Sequence, residues 1–138
     1  DDKHTRLDRI EPQLNEAAKG DLRDTTTPNA IIHTLNKILL GNILSESSKA
    51  QLIQWMKDTK IANSLLRSVL PKGFIIADRT GAGGNGSRGI TALVWSAEQS
   101  PIIISIYITQ ANASLKDRNK AIAMIGDEIF KHYLNATK

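Results

Sequence analysis

The sequence predicts an α/β chain of the α+β kind, an antiparallel sheet flanked by helices. Three observations predict it. Residues 27–70 carry apolar side chains at helical spacing. Three short β-branched runs follow between Phe74 and Ile108, joined by turn-forming residues. A last amphipathic stretch then opens at Ser114. Three strands and one covering helix cannot close a core around themselves and also satisfy the earlier helices, so the pattern asks for partner elements that this chain does not contain.

Residues 1–26 are polar and lack sustained periodicity, with Pro12, Gly20 and Thr25-Thr26-Thr27 among many charges. A structureless stretch of this length is usually functional or disordered. Leu7, Ile10, Leu14 and Leu22 are spaced through it, which favours an ordered loop packed on its own apolar residues. Thr27 then suits an N-cap and Pro28 a first helical position. Ile31, Leu35, Ile38 and Leu39 form one stripe, and Gly41 is a natural stop. Ser45 caps a second helix whose buried side is expected to be Leu52, Ile53, Trp55 and Met56. Asn63 to Ser68 reads as one more short helical piece, ended before Pro71.

Phe74 to Ala77, Ile90 to Trp95 and Ile102 to Ile108 read as strands. Their connections are short, so they form an antiparallel meander. The near-continuous apolar character of the third run suggests burial on both faces. Ser114, with Asp117 three residues on, caps the last helix, whose inner side carries Leu115, Ile122, Ile125, Ile129 and Tyr133. The chain therefore divides into a loop over 1–26, a helical segment over 27–70, and a meander with its helix over 71–138.

Composition removes several classes of function. The net charge of +4 comes from 18 Lys and Arg scattered among 14 acids, with few aromatics, which favours a mixed solvated surface over a nucleic-acid site. No apolar run approaches the length of a membrane span. The absence of cysteine removes disulfides, thiol catalysis and Cys-based zinc sites. His4, His33 and His132 are dispersed without ligand spacing, so no metal is assigned. The chain opens at Asp1-Asp2-Lys3-His4 without a secretory leader, as the middle of a longer protein would.

Gly81-Ala82-Gly83-Gly84-Asn85-Gly86 matches G-x-G-x-x-G by letter, but a strand rather than a helix is expected after it, and no acidic residue follows at the right distance. The hairpin has another use. Arg79 and Arg88 come to the same end of the sheet, where two guanidiniums near exposed N–H groups make a carboxylate receptor. Two solvated surface arginines satisfy the spacing equally well. The glycines would let a flat substrate lie against the backbone.

Several segments together resemble the class A serine β-lactamases. Arg6-Leu7-Asp8-Arg9-Ile10-Glu11-Pro12-Gln13-Leu14-Asn15 resembles the R-x-E-P-x-L-N loop of that family, and Gly20 to Pro28 the closing end of that omega loop. Arg79-Thr80-Gly81 stands where the family has K-[ST]-G, in the R-T-G form of its carbenicillin-hydrolysing branch. Gly86-Ser87-Arg88-Gly89 and Asp117-Arg118-Asn119 also resemble family segments, in the right order. The family's S-x-x-K and S-D-N motifs do not occur: no serine here has a lysine three residues later.

The resemblance implies a two-domain β-lactamase/transpeptidase-like fold, with a helix-flanked sheet against an all-helical lobe. It implies hydrolysis of penicillins through a serine acyl-enzyme, without a cofactor, in the periplasm or outside the cell. The missing N-terminal half would carry the nucleophile, and this chain alone would be inactive. Glu11 would be the base that activates the deacylating water, with Asn15 as the water's second ligand. Read without the family, Glu11 is a cap or turn carboxylate. Thr80 would donate to the substrate carboxylate and Arg88 would supply charge, with Gly81 also among the substrate-binding residues. Arg79 would set the local potential and favour a second carboxylate, and the Ala82 N–H would be half of an oxyanion hole. Arg9 and Asp24 would pair across the neck of the loop, either as a partly buried pair or as a weak surface one. Asn119 would brace Arg88 or simply cap its helix. A non-catalytic carboxylate-binding module and a penicillin-binding-protein-like fragment are the alternatives.

Overall fold

The computed structural model describes residues 2–136. Its sheet has the order β1 (Ile75–Ala82), β2 (Arg88–Trp95), β3 (Ile102–Ile108), antiparallel throughout. Thr80 lies opposite Ile90 and Ala82 opposite Arg88, so side chains alternate across the pleat in a fixed way. One face carries Ile76, Ile90, Ala92, Val94, Ile104 and Ile106 against Ile122 and Phe130 of the last helix. The other carries Ala77 and Leu93 against Leu39 and Met56. Fully burying a side chain such as Phe130 or Leu66 contributes about 1.5–3 kcal/mol, so the two faces hold the sheet between its helices.

The helices begin where capping chemistry places them. Thr27 Oγ1 accepts from the Ala30 N–H at 3.1 Å, with Pro28 opening α1 (Pro28–Leu35). The helix widens into a π segment over Asn36–Leu40, closed by the Gly41 N–H donating to Asn36 O at 3.0 Å. Ser45 Oγ accepts from the Ser48 N–H at the start of α2 (Glu46–Lys57). Ser114 Oγ accepts from the Asp117 N–H at the start of α3 (Leu115–Ala136). No described helix is long and apolar enough to cross a membrane.

Five expectations need correction. Trp55 is 63% exposed, because the inner stripe of α2 is Leu52, Ile53 and Met56, and Trp55 points off it. Leu7, Ile10 and Leu22 are also exposed, at 81%, 80% and 69%, so the first loop is not packed on its own apolar residues. Burial on both faces belongs to β2, the middle strand, whereas β3 has no outer partner among the described residues and is only partly buried. On α3, Leu115 and Ile125 are exposed while Ile122 and Phe130 carry the contact. The helical piece before Pro71 is a 3₁₀ turn, Leu66–Val69.

Candidate active site

The first loop owes its order to charge. Arg9 donates from Nε to Asp24 Oδ2 at 2.6 Å, and Asp24 Oδ1 accepts from the backbone N–H groups of Asp8 and Arg9 at 2.6 and 2.9 Å. The Asp24 side chain is 4% exposed. Burial pushes its carboxyl up, but the Arg9 side chain and the two amides outweigh that and leave it below the usual carboxylate range. Arg9 also reaches Glu16, and Asp21 is held low chiefly by Arg23. This network closes the neck of the loop and sets the turn that carries Glu11 and Asn15. That turn is a 3₁₀ segment, Gln13–Asn15, and the Asn15 amide donates to Glu11 Oε2 at 2.5 Å.

The loop docks on the sheet through backbone. The Gly84 N–H donates to Asn15 O at 2.7 Å. A Cβ on Gly83 would stand 2.4 Å from that same oxygen, and one on Gly84 the same distance from Glu16 O. Gly83 and Gly84 of the hairpin therefore admit the loop, while Gly81 has open space over the position of its missing side chain.

Strand β1 runs past its apolar half through Arg79, Thr80, Gly81 and Ala82, paired with 88–91. Alternation puts Thr80 and Arg88 on one face and Arg79 on the other. Thr80 Oγ1 donates to Gly89 O at 2.7 Å. Arg88 is 8% exposed and donates from Nε to Asn119 Oδ1 at 2.7 Å and from Nη1 to Gly81 O at 3.0 Å. Both acceptors are neutral, and no carboxylate pairs with Arg88 among the described residues. Burial, then the nearby charge of Arg118, holds its pKa below the ordinary arginine value. Asn119 also donates to Ser64 Oγ at 3.0 Å, which fixes the orientation of its amide.

Asn15, Arg79, Thr80, Gly81, Ala82 and Arg88 all line one cavity of about 920 Å³, whose other wall is apolar, with Ile31, Leu35, Leu52 and Trp55. Glu11 stands one hydrogen bond away, behind Asn15. Asp24 also reaches the cavity, whereas Arg9 and Asn119 act from outside it. No group of three or more His, Asp or Glu close enough to hold a metal occurs among the described residues.

Five further residues had no role assigned from the sequence. Arg118 Nη1 donates to Ser87 O at 2.9 Å, and its place beside Asn119 was the available signal. Arg67 Nε donates at 2.6 Å to Asp78, whose side chain is fully buried beside Arg79, and neither carried a motif. Asn85 and Gln110 reach across to the loop.

The "Beta-lactamase enzyme family" model matches residues 1–133. The β-lactamase CARB-4 of Pseudomonas aeruginosa is 58% identical over 137 residues, 99% of this chain and 48% of that protein. The β-lactamase AER-1 of Aeromonas hydrophila is 56% identical over 125 residues, 91% of this chain and 41% of that protein. Among solved structures, the chromosome-encoded β-lactamase of Vibrio parahaemolyticus superposes with a TM-score of 0.93 at 55% identity, covering 96% of this chain and 50% of that one. An ancestral class A β-lactamase superposes with a TM-score of 0.92 at 41% identity, over 95% of this chain and 50% of that one. The chain thus spans about half the length of the relatives it matches.

Proposed function

This chain belongs to the class A β-lactamase family, and from that premise we propose that the full-length protein carrying it hydrolyses the amide bond of penicillins through a serine acyl-enzyme. The chain supplies the deacylating base and the carboxylate site, and the remaining half supplies the nucleophile and acts where β-lactams are met, in the periplasm or outside the cell. The observation that carries this reading is Arg88, a nearly buried cation with neutral partners, on the same face as Thr80 and in the same cavity as Asn15. A site built this way takes an anion.

The substrate carboxylate settles between Arg88 and the Thr80 hydroxyl, which turns from Gly89 O to donate to it. That fixes the lactam carbonyl toward the Ala82 N–H, which stabilises the developing oxyanion. The serine oxygen attacks the carbonyl carbon, the ring C–N bond breaks, and the nitrogen takes the proton that the serine gave up. A water held between Glu11 and Asn15 then attacks the ester carbonyl. Glu11 takes a proton from the water, the serine oxygen leaves with its electron pair, and it recovers a proton as the penicilloic acid departs. Arg79, exposed on the cavity rim, adds the positive potential that suits a penicillin with a second carboxylate.

The test is turnover of a chromogenic penicillin by the full-length protein, followed by intact mass of its Glu11→Ala variant after mixing with penicillin. Hydrolysis by the parent and a variant carrying one penicillin mass support the proposal. A parent that binds penicillin without opening it would make the site a carboxylate-binding module instead.

A further inference from the structure

Two side-chain amides outside the cavity reach the loop from two different connections. Asn85, in the β1–β2 turn, donates from Nδ2 to Glu16 O at 3.0 Å. Gln110, in the connection from β3 to α3, donates from Nε2 to Ala17 O at 3.1 Å. Between them, the Gly84 N–H takes Asn15 O. Three consecutive carbonyls just after the Glu11–Asn15 turn are therefore each held by a separate donor. Asn85, Gln110 and Ala17 all adopt left-handed backbone, with φ of 50°, 55° and 50°. Left-handed backbone at an alanine and a glutamine is uncommon and costs free energy unless the surroundings hold it. Here each strained residue takes part in the same contact.

We infer that Asn85 and Gln110 are positioning residues that hold the Glu11–Asn15 turn at the height needed for deacylation. Neither lines the cavity, so neither meets the substrate. They act on the one step that depends on where the Glu11-bound water stands. Acylation, which depends on Arg88, Thr80 and the distant nucleophile, does not require them. The inference rests on the reading of Glu11 as the deacylating base.

The experiment uses the full-length protein with Asn85→Asp and Gln110→Glu, singly and together. Both changes keep side-chain size and put an acceptor where a donor stood, facing a carbonyl. With deacylation slowed and acylation intact, kcat and KM for a penicillin fall together, by about tenfold in the double variant, while kcat/KM stays within about twofold. Rapid-quench intact mass then shows acyl-enzyme accumulating. Gln110→Lys, which keeps an N–H donor of similar reach, retains the parent kcat. A loss confined to kcat/KM, an unchanged kcat, or equal damage from Gln110→Lys and Gln110→Glu overturns the inference and leaves the reading of Glu11 standing. A parent that turns over no penicillin ends both together.

Discussion

At Arg88 two donors go to amide oxygens, and the charge itself is left to something outside the chain's own acidic groups. Hydrogen bonds to charged groups are worth about 1.5–3 kcal/mol, so Arg88→Ala in the full-length protein should lower kcat/KM for penicillins by about 10- to 100-fold. Arg88→Lys should recover only part of it, because an ammonium cannot serve Asn119, Gly81 and the substrate from one planar fork. Steady-state kinetics on both variants decide this, and an Arg88→Ala variant with the parent kcat/KM would remove the side chain from the site. Asp78 shows the opposite electrostatic arrangement. Burial pushes its carboxyl up and the hydrogen bond from Arg67 pulls it down, with burial winning. A carboxyl raised in the folded state binds its proton more tightly there than when unfolded. It therefore costs stability above its folded pKa, and that cost fades as pH falls through that value.

The first loop titrates in the other direction. Asp8, Asp21 and Asp24 are all held below the ordinary carboxylate range, so they contribute stability above the unfolded value near ~4, which is lost as pH falls through the folded pKa values. The neck of the loop should open on acidification before the sheet does, seen as loss of amide-exchange protection at Asp8 and Arg9 after correction for intrinsic rates. Asp24→Asn should do the same at neutral pH without straining the left-handed position, φ 56°, which asparagine accepts. Unchanged protection in that variant would show that the amide bonds, and not the charge, close the neck. The elements differ in how far they could be read from the sequence, and the reason is range. The caps at Thr27, Ser45 and Ser114 are chemistry within three residues and were legible. The polar end of β1, Arg79–Ala82, had no apolar alternation to mark it and is a strand only because 88–91 pair with it. The charged loop read as packed because its leucines were visible; of its ion pairs only Arg9–Asp24, 15 residues apart, was expected, and the amide bonds from Asp8 and Arg9 to the same carboxylate were not. Of the site, the motif residues stood out, but the grip of Asn85 and Gln110 on the loop spans 69 and 93 residues and ends on carbonyls, which every residue has.

Over the whole molecule, burial is uneven in a way that bears on how the chain exists. The sheet's inner residues are close to fully covered, yet Leu7, Ile10, Leu22, Ile43, Trp55 and Ile61 stand open, and the cavity keeps an apolar wall. Large side chains left in water forgo the burial that stabilises a fold, and contiguous patches of them mark surfaces that pack against something. With the relatives about twice as long, the rest of the full-length protein is the natural cover, and it would bring the nucleophile to the side of the cavity that faces Asn15 and Arg88. Prepared by itself, the chain should bind the dye ANS strongly, self-associate on size exclusion, and hydrolyse no penicillin. Mixing it with the separately prepared remaining half should quench the ANS signal and restore turnover in step. An isolated chain that is monomeric, dark to ANS and active would mean that these surfaces need no partner and that the nucleophile has to be sought among the chain's own ten serines.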